Sequence, residues 1–193
     1  MSLSISYSST YASWTVSDYL VDWASYFGDS SNGGNTGGFY PGAYSGTQYA
    51  MASWNTDAGF IVEGDLVYGL FQAPMHSLYG HLDEVSLGSQ VIETSSGFDF
   101  TPGYHEVSFS GLDLYSTLSE GHSGVVHQLV YGLMSGNATV LEGVLNDLLG
   151  DYGVSTDDTF DVVAVALAAS PLSIGSAELL GVPEPIDSLA LAA

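Results

Sequence analysis

Strand-like segments fill the middle of this chain and helical segments follow them, an order that constrains the fold more than any other feature. From residue 39 to residue 109, short runs of alternating apolar and polar residues are separated by turn residues, which predicts an antiparallel sheet. Helices are predicted at about 123–135, 137–149 and 157–168. Strands followed by helices are typical of the α+β class, in which helices pack on one face of a twisted antiparallel sheet.

The two ends of the chain complete this prediction. Residues 3–7 are predicted to form a first strand, and residues 17–27 an amphipathic helix with Ser17 as its N-cap. We expect one α+β domain over residues 1–169, with about four α-helices on one face of the sheet, because a chain of this length can bury one sizeable core. Residues 170–193 are expected to form a flexible tail.

The charge of the chain is strongly one-sided. It contains no Lys or Arg and 22 acidic residues, which gives a formal net charge of −22. Nucleic acids and anionic membranes are both recognised through basic contacts, so neither is expected as a partner. A partner with a basic docking surface is favoured instead. Because the chain also lacks Cys, disulfides and thiolate metal sites are excluded.

Residues 63–84 form the most informative local pattern, which predicts a strand, a Pro-containing turn and a second strand. If the strands pair about Gln72, Tyr68 faces His76 directly. Opposed side chains have Cβ atoms about 5 Å apart, so the phenol and the imidazole can form a hydrogen bond. The residues predicted on this face are Leu66, Tyr68, Leu70, His76 and Leu78, with Leu66 opposite Leu78.

The Tyr68–His76 pair has two interpretations. A phenolate held by an imidazole on an apolar wall is a good hard ligand for ferric iron. Tyr is also common in strands, however, and a buried Tyr usually finds some hydrogen-bond partner, so a purely structural pair is the more frequent case. The predicted helix at 123–135 favours the site, because His127, Tyr131 and Met134 share one helical face. An imidazole, a phenol and a thioether together suit a flat, aromatic, polarizable ligand.

Other chemistries are not supported by the motifs present. The sequence Gly-His-Ser-Gly at 121–124 resembles half of a nucleophile elbow, but Val125 stands where that motif requires its last Gly. His122 and His127 lack the spacing of a zinc protease helix. The acidic residues do not follow a calcium-binding pattern. No catalytic set assembles, so a binding protein is favoured over an enzyme.

The chain resembles the secreted bacterial haem-acquisition proteins called hemophores, of the HasA type. The resemblance covers nearly the whole length and consists of segments in one order. They are ISYSSTY near the start, SDYLVDWASYFGD at 17–29, NTGGF at 35–39, SGTQYA at 45–50, DLVYGLFQAPMHSLYGHLD at 65–83, EVSFSGLDL at 106–114, GHSGVVHQLVYGLMSGN at 121–137, DYGVSTDDTFD at 151–161 and the terminal LALAA.

This resemblance implies a function and a site. It implies that ferric haem b binds at loops along one edge of the sheet, with Tyr68 as the axial iron ligand and His76 hydrogen-bonded to the Tyr68 oxygen. It also implies an extracellular, secreted protein that takes haem from host haemoproteins and delivers it to an outer-membrane receptor. Export by type I (ABC) secretion would read an uncleaved signal within residues 170–193.

One departure from the family pattern changes the expected iron coordination. Typical members carry a second axial His in the loop after the first helix, but here residues 28–38 contain no His and the loop is shorter. We therefore expect a five-coordinate iron or a weak sixth ligand such as water. A monomer is expected, with a haem-stacked dimer as the alternative. The predicted lining of the haem pocket comprises Leu70, Phe71, Leu78, His127, Tyr131, Met134, Gly37, Gly38 and Phe39.

Two rival functions stay open at the level of the sequence. One is an acidic extracellular structural or adhesion module without a cofactor, in which Tyr68 and His76 belong only to the core. The other is a weak haem-dependent peroxidase, for which an open distal face would be suggestive.

Overall fold

The computed structural model describes residues 2–31 and 37–169, and within them an antiparallel sheet is the central element. In this part of the chain six strands pair in the order β1-β8-β5-β4-β3-β2, and β6 and β7 form a separate hairpin. The strands are β1 (Ser4–Tyr7), β2 (Gly38–Pro41), β3 (Ser45–Ala52), β4 (Ala58–Gly69), β5 (Ser77–Ser89), β6 (Val91–Thr94), β7 (Gly97–Phe100) and β8 (His105–Ser116). The helices are α1 (Val16–Phe27), α2 (Val125–Met134), α3 (Thr139–Gly150) and α4 (Phe160–Ala169).

The helices cover one face of the sheet, as predicted for the α+β class. Alternate residues of β4, among them Phe60 and Val62, lie in the same buried cluster as the apolar faces of the helices. Phe27 of α1 contacts Phe60 with ring centroids 5.7 Å apart. On the opposite face, Ile61 packs with the β6–β7 hairpin. The prediction of a single α+β domain is therefore confirmed.

The helix boundaries differ from the prediction at two starts. Helix α1 begins at Val16, because the Thr15 hydroxyl, not Ser17, accepts the hydrogen bond from the Asp18 N–H at 3.0 Å. Helix α4 begins at Phe160 rather than near residue 157. The reason is a turn in which the Asp158 carboxylate accepts the N–H of Ser155 at 2.9 Å.

The pairing of β4 with β5 corrects the predicted hairpin register. Tyr68 lies opposite Leu78 rather than His76, and Leu66 lies opposite Gly80. The last pair is Gly69 with Ser77, so the hairpin is centred on Ala73 instead of Gln72. A shift of the centre by one residue moves each cross-strand partner by two, which leaves every side chain on its predicted face. Leu70 and His76 lie beyond the paired strands, in the connecting loop.

Two further findings concern membrane-spanning helices and the C-terminal tail. No helix among the described residues is both long and apolar enough to cross a membrane. The tail predicted at 170–193 lies outside the described residues.

Candidate functional site

Tyr68 and His76 meet at the end of β4 although they are not cross-strand partners. The Tyr68 hydroxyl lies 2.8 Å from Nδ1 of His76, within hydrogen-bond distance. Tyr68 is half-buried against the helix-covered face of the sheet, whereas His76 is exposed. Burial raises the pKa of the Tyr68 phenol, because the anionic form is less well solvated there.

The 70–76 loop, which joins β4 to β5, brings His76 back to Tyr68. The N–H of His76 donates to the carbonyl oxygen of Gly69 at 2.8 Å, and the N–H of Leu70 donates to that of Tyr68 at 3.0 Å. His76 itself has φ 62, in the left-handed region that most residues avoid. This backbone turns its imidazole toward the phenol.

The segment between β8 and α2 packs against the 70–76 loop. Nε2–H of His122 donates to the carbonyl oxygen of Met75 at 3.1 Å, since a carbonyl can only accept. Nδ1 of His127 accepts the backbone N–H of Leu78 at 3.2 Å. Burial, followed by the proximity of His122, lowers the pKa of His127, which favours the neutral ring that can accept this bond.

Three aromatic rings lie nearly parallel: His122 before α2, and His127 and Tyr131 within α2. The rings of His122 and His127 stack with centroids 4.6 Å apart and 16° between planes, and the His127 and Tyr131 rings are 5.8 Å apart at 6°. Tyr131 is 53% exposed, so one side of the stack is open to a ligand. The predicted grouping of His127 with Tyr131 is present in the structure.

Met134, the third residue of the predicted helical face, contacts a residue that the sequence reasoning missed. The Tyr49 hydroxyl lies 3.5 Å from the Met134 sulfur, and the Tyr49 ring packs on Phe39 with centroids 4.9 Å apart. Tyr49 is 4% exposed, and burial raises the pKa of its phenol, with the nearby Tyr68 contributing. Period-2 alternation in the SGTQYA segment was the available signal, because it places Tyr49 on the core face.

The remaining predicted lining residues do not all converge on one surface. Leu78 is 6% exposed and belongs to the core, and a Cβ on Gly38 would lie 3.1 Å from Phe98, toward the β6–β7 hairpin. Gly37 is exposed at the entrance to β2. Leu70 and Phe71 line a shallow cleft of about 170 Å³. The residues around this cleft are Tyr44, Val67, Tyr68, Gly69, Leu70, Phe71, Gln72 and Tyr79.

The 28–37 loop, which joins α1 to β2, is described at its two ends. Ser30 is 1% exposed, its N–H donates to the carbonyl oxygen of Met134 at 3.0 Å, and its hydroxyl accepts the N–H of Trp54 at 3.1 Å. At the other end, a Cβ on Gly37 would clash with the Tyr49 hydroxyl at 2.5 Å. Both ends of this loop therefore meet the Tyr49–Met134 pair.

The donors of the site favour a hard, cationic centre. Tyr68 offers a phenol oxygen, supported by the His76 nitrogen, and a phenolate is a hard oxygen ligand. Within residues 2–31 and 37–169, no group of three or more His, Cys, Asp or Glu side chains is placed to hold a metal ion. The 70–76 loop exposes Phe71 at 84% and Met75 at 58%, and α2 exposes Tyr131 at 53%.

Known proteins resemble this chain in sequence and in fold. The profile of the family described as Heme-binding protein A (HasA) matches residues 1–193. The Hemophore HasA of Serratia marcescens is 46% identical over 190 residues, covering 93% of this chain and 99% of that protein. Two structures of the hemophore HasA from Yersinia pestis, each 30% identical and covering 83% of this chain, superpose with TM-scores of 0.68 for the holo form and 0.69 for a tetragonal apo form. They cover 95% and 92% of those chains, respectively. Agreement over the whole sequence and the whole domain places this chain in the HasA family of hemophores.

Proposed function

We propose that this protein is an extracellular hemophore that captures ferric haem b through Tyr68. The observation that carries the proposal is the 2.8 Å contact between the Tyr68 hydroxyl and His76 Nδ1, where the pairing of β4 with β5 ends. Because the chain belongs to a family of haem-binding proteins, we interpret this pair as an iron-binding site. In another fold the same geometry would be an ordinary hydrogen bond.

Tyr68 binds iron as tyrosinate, and His76 supports the charge on its oxygen. Burial raises the pKa of Tyr68 and keeps the phenol protonated in the haem-free protein, so its O–H can donate to Nδ1 of His76 when the imidazole carries its proton on Nε2. The positive charge of ferric iron lowers the pKa of a coordinating group. When Nδ1 of His76 takes up the phenol proton across the 2.8 Å contact, Nδ1–H donates to the phenolate oxygen and holds it in place.

The porphyrin lies against the aromatic surface beside Tyr68 rather than inside a closed pocket. The nearby cleft measures about 170 Å³, whereas pockets that enclose a drug-sized ligand measure roughly 300–1,000 Å³. Tyr131 and Phe71 expose flat aromatic surface, which suits a planar macrocycle. Because the chain has no Lys or Arg, the two propionates point to solvent or accept backbone N–H and hydroxyl groups.

The opposite side of the iron receives no strong protein ligand. The 28–37 loop contains no His, and its Asn residues are poor ligands for ferric iron. The iron is therefore five-coordinate or carries a weak ligand such as water. Release to a receptor then requires one strong bond to be broken rather than two.

The proposed partners follow from family membership and from the charge. The hemophore takes haem from host haemoproteins outside the cell and delivers it to an outer-membrane receptor. A net charge of −22 favours a receptor with a basic docking surface. Type I (ABC) secretion machinery exports the protein through a signal within residues 170–193. The protein acts as a monomer, and stacking of two bound haems is the alternative.

Titration with hemin tests the proposal directly. We expect a saturable absorbance band at one haem per protein, with the charge-transfer features of a high-spin ferric tyrosinate. A purely low-spin His/Tyr spectrum would contradict the five-coordinate site. The absence of any stoichiometric band would contradict the function and revive a structural module without a cofactor.

Peroxide turnover by the loaded protein separates a carrier from a weak peroxidase. We expect little turnover. No acid–base group suited to cleave peroxide is evident among the described residues on the side of the iron opposite Tyr68. Turnover comparable to that of a dedicated peroxidase would contradict the assignment as a carrier.

A further inference from the structure

We propose that His122 and His127 are positioning residues that hold the 70–76 loop, and with it the Tyr68–His76 pair, in a haem-ready arrangement before haem arrives. This inference rests on the proposed function. It assigns to His127, a predicted lining residue, and to His122, which was not one, the task of fixing the backbone on either side of His76.

The loop needs an external support because it makes few contacts of its own. Strand pairing stops at Gly69 and Ser77, and residues 71–76 are all exposed. Within the loop, the Ser77 hydroxyl donates to the carbonyl oxygen of Pro74 at 2.9 Å, and the N–H of His76 reaches Gly69. His76 also has φ 62, a conformation that persists only when its surroundings enforce it.

The two histidines form hydrogen bonds with backbone groups on either side of His76. His122 donates to the carbonyl oxygen of Met75, directly before His76. His127 accepts the N–H of Leu78, two residues after it. The rings of the two histidines stack with centroids 4.6 Å apart, and this stack joins both contacts into one unit at the start of α2.

Close backbone packing at Gly121 brings this unit against the loop. Gly121 has φ 56, and a Cβ placed on it would lie 2.5 Å from Cγ of Pro74. Glycine is therefore required at this position both for the backbone conformation and for the approach. At Gly121 the segment before α2 therefore lies directly against Pro74 of the 70–76 loop, and this close approach lets the segment support the loop.

Each hydrogen bond can be removed and restored separately. Leu removes the bond at either position, whereas Gln at 122 carries an N–H where His has Nε2, and Asn at 127 carries an acceptor oxygen where His has Nδ1. We expect His122→Leu and His127→Leu each to release haem to excess apomyoglobin about fivefold faster, the order expected for one hydrogen bond. His122→Gln and His127→Asn should recover most of the wild-type rate.

A matched control and a haem-free measurement complete the test. His105→Leu removes an exposed histidine at the far end of β8 and should leave the release rate unchanged. In the haem-free protein, hydrogen exchange at the amides of His76 and Leu78 should be faster in the two Leu variants and near wild type in the Gln and Asn variants.

The outcomes distinguish this inference from the proposed function. Wild-type exchange at both amides in the Leu variants would overturn the positioning role. Gln and Asn variants that release haem as fast as the Leu variants would also overturn it. If the wild-type protein fails to bind haem at all, the proposed function fails, while the exchange data still decide whether the histidines hold the loop.

Discussion

The 70–76 loop and the 28–37 loop differ in what their side chains can offer to iron. The first carries His76 and follows Tyr68. His122, before α2, bonds the loop at Met75, and His127, in α2, bonds Leu78 just after the loop. The second contains no His, and its described ends are fixed by serine and glycine contacts to the Tyr49–Met134 pair. The proposed iron ligation is therefore confined to one side of the site, whereas structural anchoring occurs on both sides.

Tyr68→Phe gives the largest effect expected from this asymmetry. Removing the phenol oxygen removes the proposed iron ligand, and the sequence of the 28–37 loop contains no His to replace it. We expect haem affinity to fall by more than about 100-fold, beyond the range for groups that merely support a ligand. Titration with hemin measures the change, and Tyr115→Phe, at a tyrosine that is 65% exposed on β8, serves as the control. Unchanged affinity in Tyr68→Phe would place the iron elsewhere.

His76→Ala should give the second largest effect. The phenolate would keep its iron bond but lose the hydrogen bond at 2.8 Å that holds its oxygen. Loss of such a supporting partner typically costs about 10- to 100-fold in metal affinity. Haem transfer to apomyoglobin at neutral pH should accelerate accordingly. Retention equal to that of the wild type would show that Tyr68 needs no support.

Ser30→Ala should give the smallest effect on haem, because it alters the loop that lacks iron ligands. It removes the hydrogen bond that the N–H of the exposed Trp54 donates to Ser30, which costs about 0.5–1.5 kcal/mol of folding stability. We expect a lower midpoint in thermal unfolding and a rate of haem release within about twofold of wild type, since a separate anchor should couple weakly to the iron. A release rate as fast as that of His76→Ala would show that the 28–37 loop contributes to holding haem and would remove the asymmetry.

Sequence patterns were sufficient for the layers of this fold but not for the hairpin register. Period-2 alternation fixes which side chains share a face, and Leu66, Tyr68 and Leu78 do share one. Alternation does not fix the centre of a long turn. When the turn centre moves by one residue, the strand pairing moves by two residues, and every strand side chain keeps its face. The contact of Tyr68 with His76 arises from the path of the loop, where no periodicity applies.

The support of the loop was also beyond the reach of the sequence. His122 and His127 were noted for their spacing, but their bonds go to backbone atoms of Met75 and Leu78. Nearly all residues carry the same backbone groups, so the sequence does not indicate which of these groups a side chain will contact. Such contacts can be identified only when the path of the chain is known. Tyr49 was missed for a related reason, since a core-facing tyrosine in a strand looks like ordinary packing until its partner is known.

The left-handed backbone at His76 implies a compromise between stability and binding. Glycine or asparagine occupies such a conformation more readily than histidine does, so the imidazole costs the fold on the order of 1 kcal/mol at this position. Selection for stability alone would therefore replace it. A population of variants selected only for thermal resistance should lose His76 early, whereas selection for haem capture should retain it despite the strain.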